Sequence, residues 1–345
     1  MQKVLTIVIP TYNMQDYLHR CLDSLIVNDK ELLKQIEILV INDGSRDNSS
    51  QIAHEYESMY PETFRVIDKE NGNYGSCVNR GLNEASGKYI KVLDADDWFD
   101  TNEFESFIVH LNVIDADMIL TPFSIVNATS NEVSLAYKPN MRSGEKYDVK
   151  QLTIDEAGVY MMHAVTYRIE LLRSISYHQT EGISYTDTEW IYNPLYAVET
   201  LVYLNYNVYQ YLIGREGQTM DPKVMLRTIN HHETIARSLI DNERQHRSVG
   251  FAHATIERQI LYLLKLIYKT RLVLQDNNNY EDTAMQKFDS YIRMNRLDMY
   301  KKTGKLIIKP CFPVPYVFWW RIFKHRFPID KIRNIYRNIR YGKRD

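Results

Sequence analysis

The sequence predicts an α/β fold of the Rossmann-like kind: a mostly parallel sheet flanked by helices, followed along the chain by a helical C-terminal region. Three observations predict this. Over the first hundred residues strand-like and helix-like apolar periods alternate strictly. The strand-like runs are short and rich in Val and Ile, as suits strands covered on both faces. Each run ends in polar or turn-forming residues, at the edge where open parallel sheets bind ligands.

Val4 to Ile9 is the first strand, ended by Pro10 and Asn13. Asn13 is placed to cap a helix whose apolar residues Met14, Leu18, Cys21, Leu22 and Leu25 recur at steps of three and four. Ile36 to Ile41 is the second strand, closed by Asn42, Asp43, Gly44 and Ser45, and Asp47 or Ser49 opens a helix through Ile52, Tyr56 and Met59. Phe64 to Ile67 is the third. A turn from Asn71 to Gly75 leads into a helix that Gly87 is expected to stop. Tyr89 to Leu93 is the fourth, ending in Asp94, Ala95, Asp96 and Asp97. Thr101 is expected to cap a helix through Phe104, Ile108 and Leu111. Met118 to Val126 and Val133 to Tyr137 read as strands, and Tyr196 to Ile213 as two more. From Lys223 to Asn295 the period is helical, as in Ile256, Ile260, Leu263, Leu264 and Ile267.

The 345 residues, 44% hydrophobic and 25% charged, are those of a folded globular chain of about two domains. Disordered, collagen-like and coiled-coil classes are excluded. Three cysteines, Cys21, Cys77 and Cys311, exclude a disulfide scaffold and a four-thiolate zinc site. The net charge of −2 conceals an asymmetry. Residues 301–345 hold thirteen Lys and Arg against Asp330 and Asp345, so this segment carries +11 and the rest −13. No stretch reaches the roughly 18 apolar residues of a spanning helix, and Val4 to Pro10 lacks the flanks of a signal peptide. The expectation is a cytoplasmic chain.

The acidic run after the fourth strand carries the strongest chemical signal. In an extended segment Asp94 and Asp96 face the same way, and two carboxylates aimed at one point repel unless a cation lies between them. Hard oxygen ligands suit Mg²⁺ or Mn²⁺ completed by substrate phosphates. The plainer alternative is an acidic turn that caps the next helix.

Four blocks together resemble the family 2 glycosyltransferases of the GT-A fold. They are Val8 to Asn13, Val40 to Ser49, Asn79 to Ile90 and Leu93 to Asp97, in the family's order and at roughly its spacings. Tyr185 to Trp190 and Tyr211 to Met220 resemble its acceptor-side motifs less specifically. The resemblance implies an inverting transfer of a sugar from a nucleotide-diphosphate donor, a UDP-sugar foremost, to a hydroxyl of a saccharide or lipid-linked acceptor in cell-surface glycan synthesis. Residues 1–220 would form the catalytic domain, 221–300 a helical region and 301–345 a basic aromatic tail.

It also implies roles for individual residues. Pro10, Thr11, Tyr12 and Asp43 would hold the nucleoside, and a carboxylate is apt to accept from uracil N–H or ribose hydroxyls. Asn79, Arg80 and Ala95 would line the donor. Asp94 and Asp96 would hold a Mn²⁺ or Mg²⁺ that steadies the diphosphate as leaving group, with Asp97 bracing the loop. Asp187 aligns with the family's catalytic base, although Thr186 stands where a Glu is usual, and Glu189 is the rival base. His163 is open between metal ligand, sugar contact and core histidine. Arg215 is open between diphosphate contact and a surface ion pair.

The tail is a separate matter. Ile332, Ile335, Tyr336 and Ile339 lie at helical spacing opposite Lys331, Arg333, Arg337 and Arg340, with Trp319 and Trp320 upstream. That pattern fits an anionic membrane surface and a peripheral location, or a last helix docked on the acidic body. No recognition module accompanies the charge, so nucleic acid is not expected. An NAD-dependent oxidoreductase is disfavoured because no GxGxxG follows the first strand. A glycoside hydrolase needs no metal-holding pair. A catalytically silent nucleotide-sugar-binding partner of a polysaccharide synthase is the non-enzymatic alternative.

Overall fold

The computed structural model describes residues 3–215, 222–274, 282–308 and 312–323. They fall into two compact units, one of Met1–Gln218 with Ser248–Ala254 and one of Thr219–Arg247 with Thr255–Asp345.

The first unit opens with β1 (Leu5–Thr11), α1 (Gln15–Asp23), the single turn α2 (Lys30–Leu33), β2 (Ile36–Asn42), α3 (Ser49–Met59), β3 (Phe64–Asp68), α4 (Asn73–Glu84) and β4 (Tyr89–Val92). It continues through β5 (Trp98–Phe99), α5 (Thr101–Leu111), β6 (Met118–Leu120), β7 (Phe123–Asn127), β8 (Val133–Tyr137), β9 (Lys146–Asp148) and the turn α6 (Ile154–Ala157). A single 3₁₀ turn, Met162–Ala164, enters β10 (Val165–Arg168). Then come α7 (Ile169–Ser174), α8 (Asp187–Tyr192), β11 (Thr200–Tyr203) and β12 (Tyr209–Ile213).

Among the described residues the main sheet runs β3-β2-β1-β4-β10-β6-β11-β9. The first four strands are parallel, and Thr11 pairs with Asn42 and Asn42 with Asp68. Their C-terminal ends therefore meet at one edge. β10 runs antiparallel to β4 and β6. A smaller sheet, β5-β12-β7-β8, stands apart from it. Every residue of β4 and all but Pro10 of β1 are buried, so both strands are covered on both faces, as their Val- and Ile-rich composition requires.

Four local expectations fail for identifiable reasons. Asn13 does not cap α1: its φ is +54°, and its Oδ1 accepts from the Arg46 N–H of the next loop instead. The helix after the third strand ends at Glu84, before Gly87. Gly87 is required because a Cβ there would lie 2.6 Å from the Thr6 nitrogen of β1. Asp100, not Thr101, caps α5, its carboxylate accepting from the Asn102 and Glu103 N–H groups. Met118 to Val126 is two strands, because Thr121 and Pro122 interrupt it and proline has no N–H to donate.

The second unit is mainly helical. It comprises α9 (Pro222–Arg227), α10 (Ile229–His246), most of α11 (Gly250–Lys269), a π-helical turn (Thr270–Leu274), α12 (Asp282–Asn295) and α13 (Leu297–Thr303). A small hairpin of β13 (Ile307–Ile308) and β14 (Phe312–Pro315) leads into α14 (Tyr316–Ile322). Ile235, Leu239, Leu264, Ile267, Phe288 and Ile292 are in its core.

α14 carries the start of the basic tail, and part of it is sequestered. Trp320 is 1% exposed. Arg321 donates to the buried Asp289 at 2.6 Å, and its guanidinium lies 3.6 Å from the Tyr300 ring centroid. Trp320 is therefore not available to a membrane surface, contrary to the expectation that it anchors the tail there. Phe318, Ile322 and Phe323 are the exposed apolar residues here. The basic helical pattern around Ile332 to Ile339 lies outside the described residues.

Candidate active site

The parallel register brings Pro10–Tyr12, Asp43 and Asp94 to one edge of the main sheet. Tyr12 is 43% exposed, whereas the Thr11 hydroxyl turns inward and donates to the Ile9 carbonyl. Asp43 is buried and already engaged. Its carboxylate accepts from Lys69 Nζ at 2.5 Å and from the Gly72 and Asn73 N–H groups, both at 2.9 Å. Asp43 thus pins the loop that enters α4. Lys69 also donates to the Ser76 hydroxyl at 2.9 Å.

The acidic run is a turn, closed by the Asp97 N–H donating to the Asp94 carbonyl at 3.0 Å. Extended-strand alternation therefore does not apply, and the carboxylates take different partners. Asp94 Oδ1 accepts from the Tyr74 hydroxyl at 2.9 Å. Asp96 Oδ2 accepts from Arg215 Nε at 2.5 Å, and the Asp96 carbonyl accepts from Arg20 at 2.9 Å. Asp97 is fully buried and accepts from the Tyr209 hydroxyl and the Leu212 N–H, both at 2.7 Å. It braces the loop, as expected. The Ala95 side chain is buried beneath the turn.

Burial crowds these charges. It pushes the Asp94 pKa up to about 7, assisted by Asp96 and Asp187 and opposed by the Tyr74 hydrogen bond and Arg215. Asp97 is driven far above the carboxylate range, by burial first and then by Asp96 and Asp94.

His163 lies behind the turn. Its ring stacks on Tyr211 with centroids 4.2 Å apart and meets Tyr209 edge-on at 4.7 Å. Burial, with Lys91 adding to it, pulls its pKa down to about 3, so the ring is neutral. Its Nδ1 finds no hydrogen-bond partner among the described residues. One ligand atom each from Asp94, Asp97 and His163 lie within 4.8 Å of one another. The sequence grouped Asp96 with Asp94 and His163. The turn instead puts Asp97 in that group and directs Asp96 to Arg215.

Asp187 begins α8, and burial raises its pKa above the usual range, opposed by the N–H groups at the start of that helix. Its charge is felt at Asp94, at Tyr74 and at Tyr211. Glu189 is 1% exposed, and both of its oxygens accept from Thr180, at 2.7 and 2.9 Å. Both Glu189 oxygens are therefore already engaged by Thr180.

Asn79 and Arg80 do not reach the donor edge, because both leave the middle of α4. Asn79 is buried and bonded to the Gln179 backbone, and Arg80 pairs with Glu84 on the helix surface. Arg20, Lys69, Tyr74 and Tyr209 were missed. Only the position of Tyr74, an aromatic residue inside a polar turn, hinted at a role.

Comparisons with known proteins give the family of the first unit and the fold. Residues 6–175 match the sequence profile of glycosyl transferase family 2. A glycosyltransferase of Mycoplasma pneumoniae is 40% identical over 120 residues, 34% of this chain and 38% of its own length. GlyA of Streptococcus pneumoniae is 37% identical over 114 residues, 33% of this chain and 16% of its own. The alignments with these two thus span well under half of either relative. GlyG of the same organism is 25% identical over 232 residues, 64% of this chain and 74% of its own. The fold matches Staphylococcus aureus TarS in complex with UDP-GlcNAc, with a TM-score of 0.66 and 16% identity over 99% of this chain and 92% of that one. The chain carries a glycosyl transferase family 2 domain, built on the GT-A fold.

Proposed function

We propose that this chain is a glycosyltransferase that moves a sugar, with inversion, from a nucleoside-diphosphate donor to a hydroxyl of a saccharide or lipid-linked acceptor. One observation carries the reading. A crowded acidic turn closes the C-terminal end of β4, and Asp187 stands near enough to raise the pKa of Asp94. The UDP-GlcNAc named for TarS supports a UDP-linked donor, and GgaB of Bacillus subtilis, a minor teichoic acid biosynthesis protein 33% identical over 137 residues, supports a role in cell-surface glycan assembly.

The donor set suits a divalent cation. Asp94, Asp96 and Asp97 supply hard oxygens whose mutual repulsion a cation would relieve, and His163 offers a neutral ring whose Nδ1 has no hydrogen-bond partner among the described residues. Asp94, with Asp96 or with Asp97 and His163, would hold Mn²⁺ or Mg²⁺. Such an ion supplies charge neutralisation of the diphosphate leaving group. Arg215 and Arg20 add fixed positive charge at the turn, and Tyr12 offers an exposed ring beside the donor edge. Asp187 takes the proton of the attacking hydroxyl, and its raised pKa makes it a stronger base than an ordinary carboxylate.

No described helix is long and apolar enough to cross a membrane. The exposed Phe318, Ile322 and Phe323 ahead of the basic tail support peripheral attachment at the cytoplasmic face, beside a membrane-held acceptor.

A screen of donor hydrolysis across UDP-, GDP- and dTDP-sugars, with Mn²⁺ and with EDTA, tests the reading. UDP-sugar turnover that EDTA abolishes and Mn²⁺ restores is expected, and Asp96→Asn should weaken UDP binding. Full turnover in EDTA would remove the metal, and no turnover of any donor would favour the silent binding partner.

A further inference from the structure

Residues 175–186 join α7 to α8 without regular secondary structure, and this strap is fastened along its length. Asn79 Nδ2 donates to the Gln179 carbonyl at 3.0 Å, and its Oδ1 accepts from the Gln179 N–H at 2.8 Å. The Gly182 N–H donates to the Gly72 carbonyl at 3.0 Å. A Cβ at Gly75 would come within 2.3 Å of the Thr180 carbonyl oxygen, so the strap lies against the first turn of α4. Gly72 is the residue whose N–H also holds Asp43. The strap is therefore tied to the loop that the donor-side carboxylate pins.

Its other end leads into Asp187. Tyr185, two residues earlier, has a φ of +67°, a conformation that a bulky side chain adopts only when its surroundings impose it. α8 has six residues, too few to hold its own orientation in water. Trp190 packs edge-on against Tyr167 and Tyr177, the Tyr167 hydroxyl donates to the Ile191 carbonyl, and Glu189 fastens the other end to the strap. Its buried carboxylate accepts both the N–H and the hydroxyl of Thr180. Two residues along a helix is a rotation of about 200°, so Glu189 and Asp187 leave α8 on opposite sides.

We propose that Glu189 is a positioning residue. By clamping Thr180 on one side of α8, it sets the rotation of that turn and hence where the Asp187 carboxylate stands relative to Asp94. The inference rests on the reading of Asp187 as the base.

The test uses the full chain and three variants, Glu189→Ala, Glu189→Gln and Thr180→Val, with Asp187→Asn as reference. Turnover is read as hydrolysis of the nucleotide sugar that the wild type cleaves fastest, binding as calorimetric Kd for UDP with Mn²⁺, and the order of α8 as amide hydrogen exchange at Thr188 and Trp190. Glu189→Ala is expected to lower kcat about 10- to 100-fold, the scale of an ångström's misplacement, with the Kd for UDP within about twofold. Glu189→Gln, whose amide oxygen can accept the Thr180 N–H while its NH2 donates to the Thr180 hydroxyl oxygen, should stay within a few-fold of wild type. Thr180→Val should fall between them. Exchange in α8 should quicken in the Ala variant and not in Asp187→Asn. Unchanged kcat and exchange in Glu189→Ala overturns the proposal, as does a Gln variant as impaired as the Ala one. If Asp187→Asn still turns over, the base assignment fails, while the exchange data still decide the clamp. If Glu189→Ala does not fold, Thr180→Val carries the same comparison.

Discussion

Lys91 points from β4 into the interior, where its ammonium donates to the His163 carbonyl at 2.7 Å and the Val165 carbonyl at 3.3 Å. Burial pulls its pKa down to about 7 from 10.5. Between those values the unfolded chain binds more protons than the folded one, so stability should rise with pH across that window, by up to about 1.4 kcal/mol per pH unit. Below pH 7 the buried charge is carried in full. Urea titrations at pH 6.5, 8 and 9.5 should show this slope in the wild type and its loss in Lys91→Met. Equal slopes would mean that the ammonium stays charged throughout. For Asp187 the expected effect is on rate. Asp187→Asn should keep UDP affinity and lose about 10²- to 10⁴-fold in turnover. A base must be deprotonated to act, so wild-type turnover should climb with pH through the raised Asp187 pKa. A flat profile over that range, or an active Asn variant, would assign the proton elsewhere.

Among the elements, the contact of the α4–β4 connection with β1 is an exacting one. A Cβ at Gly87 would meet the Thr6 nitrogen at 2.6 Å and the Leu5 carbonyl carbon at 2.8 Å, both backbone atoms of a central strand. Neither can yield without disturbing the pairing of β1 with β2 and β4. Gly87→Ala should therefore cost about 1–3 kcal/mol, the scale of overpacking a filled interior, read as a lower urea midpoint with unchanged slope. A variant as stable as wild type would show that β1 can shift. The same strand sets the site, because its parallel register with β2 and β4 brings Tyr12, Asp43 and Asp94 to one edge.

At the scale of the whole molecule, the second unit depends on the beginning of the tail. Arg321 and Asp289 form a pair about one-tenth exposed on each side, and Tyr268 donates to the same carboxylate. Removing one member of such a pair leaves the other charged and buried, at a cost of about 3–5 kcal/mol. Arg321→Met should lower the thermal midpoint accordingly, and a chain cut at Asn295 should unfold or aggregate in its second unit. A truncated chain as stable as the full one would show that α14 is dispensable. The +11 of residues 301–345 should also bring the full chain down with anionic liposomes at low salt and release it partly at high salt. No sedimentation with such vesicles would exclude the membrane reading.

The local pattern of the sequence was enough to determine the strands β1 to β4, the helices between them and the polar strand ends, because period and turn chemistry are properties of neighbouring residues. The acidic run after the fourth strand and the family resemblance also singled out Asp94, Asp96, Asp97 and Asp187 as candidate site acids. The sequence could not say which way each carboxylate turns. Asp96 goes to Arg215 and Asp97 to Tyr209 across sequence separations of more than a hundred residues, and a tight turn cancels the alternation on which the expected pairing rested. Asn79 and Glu189 looked like site residues because polar side chains near a motif look alike. Only the path of the strap showed that both are spent on holding it. Trp320 likewise read as an aromatic anchor until Asp289, from another helix, fixed the neighbouring arginine. Tertiary structure decided these points because each depends on a partner distant in sequence, and burial makes a partnered polar group far cheaper than a free one.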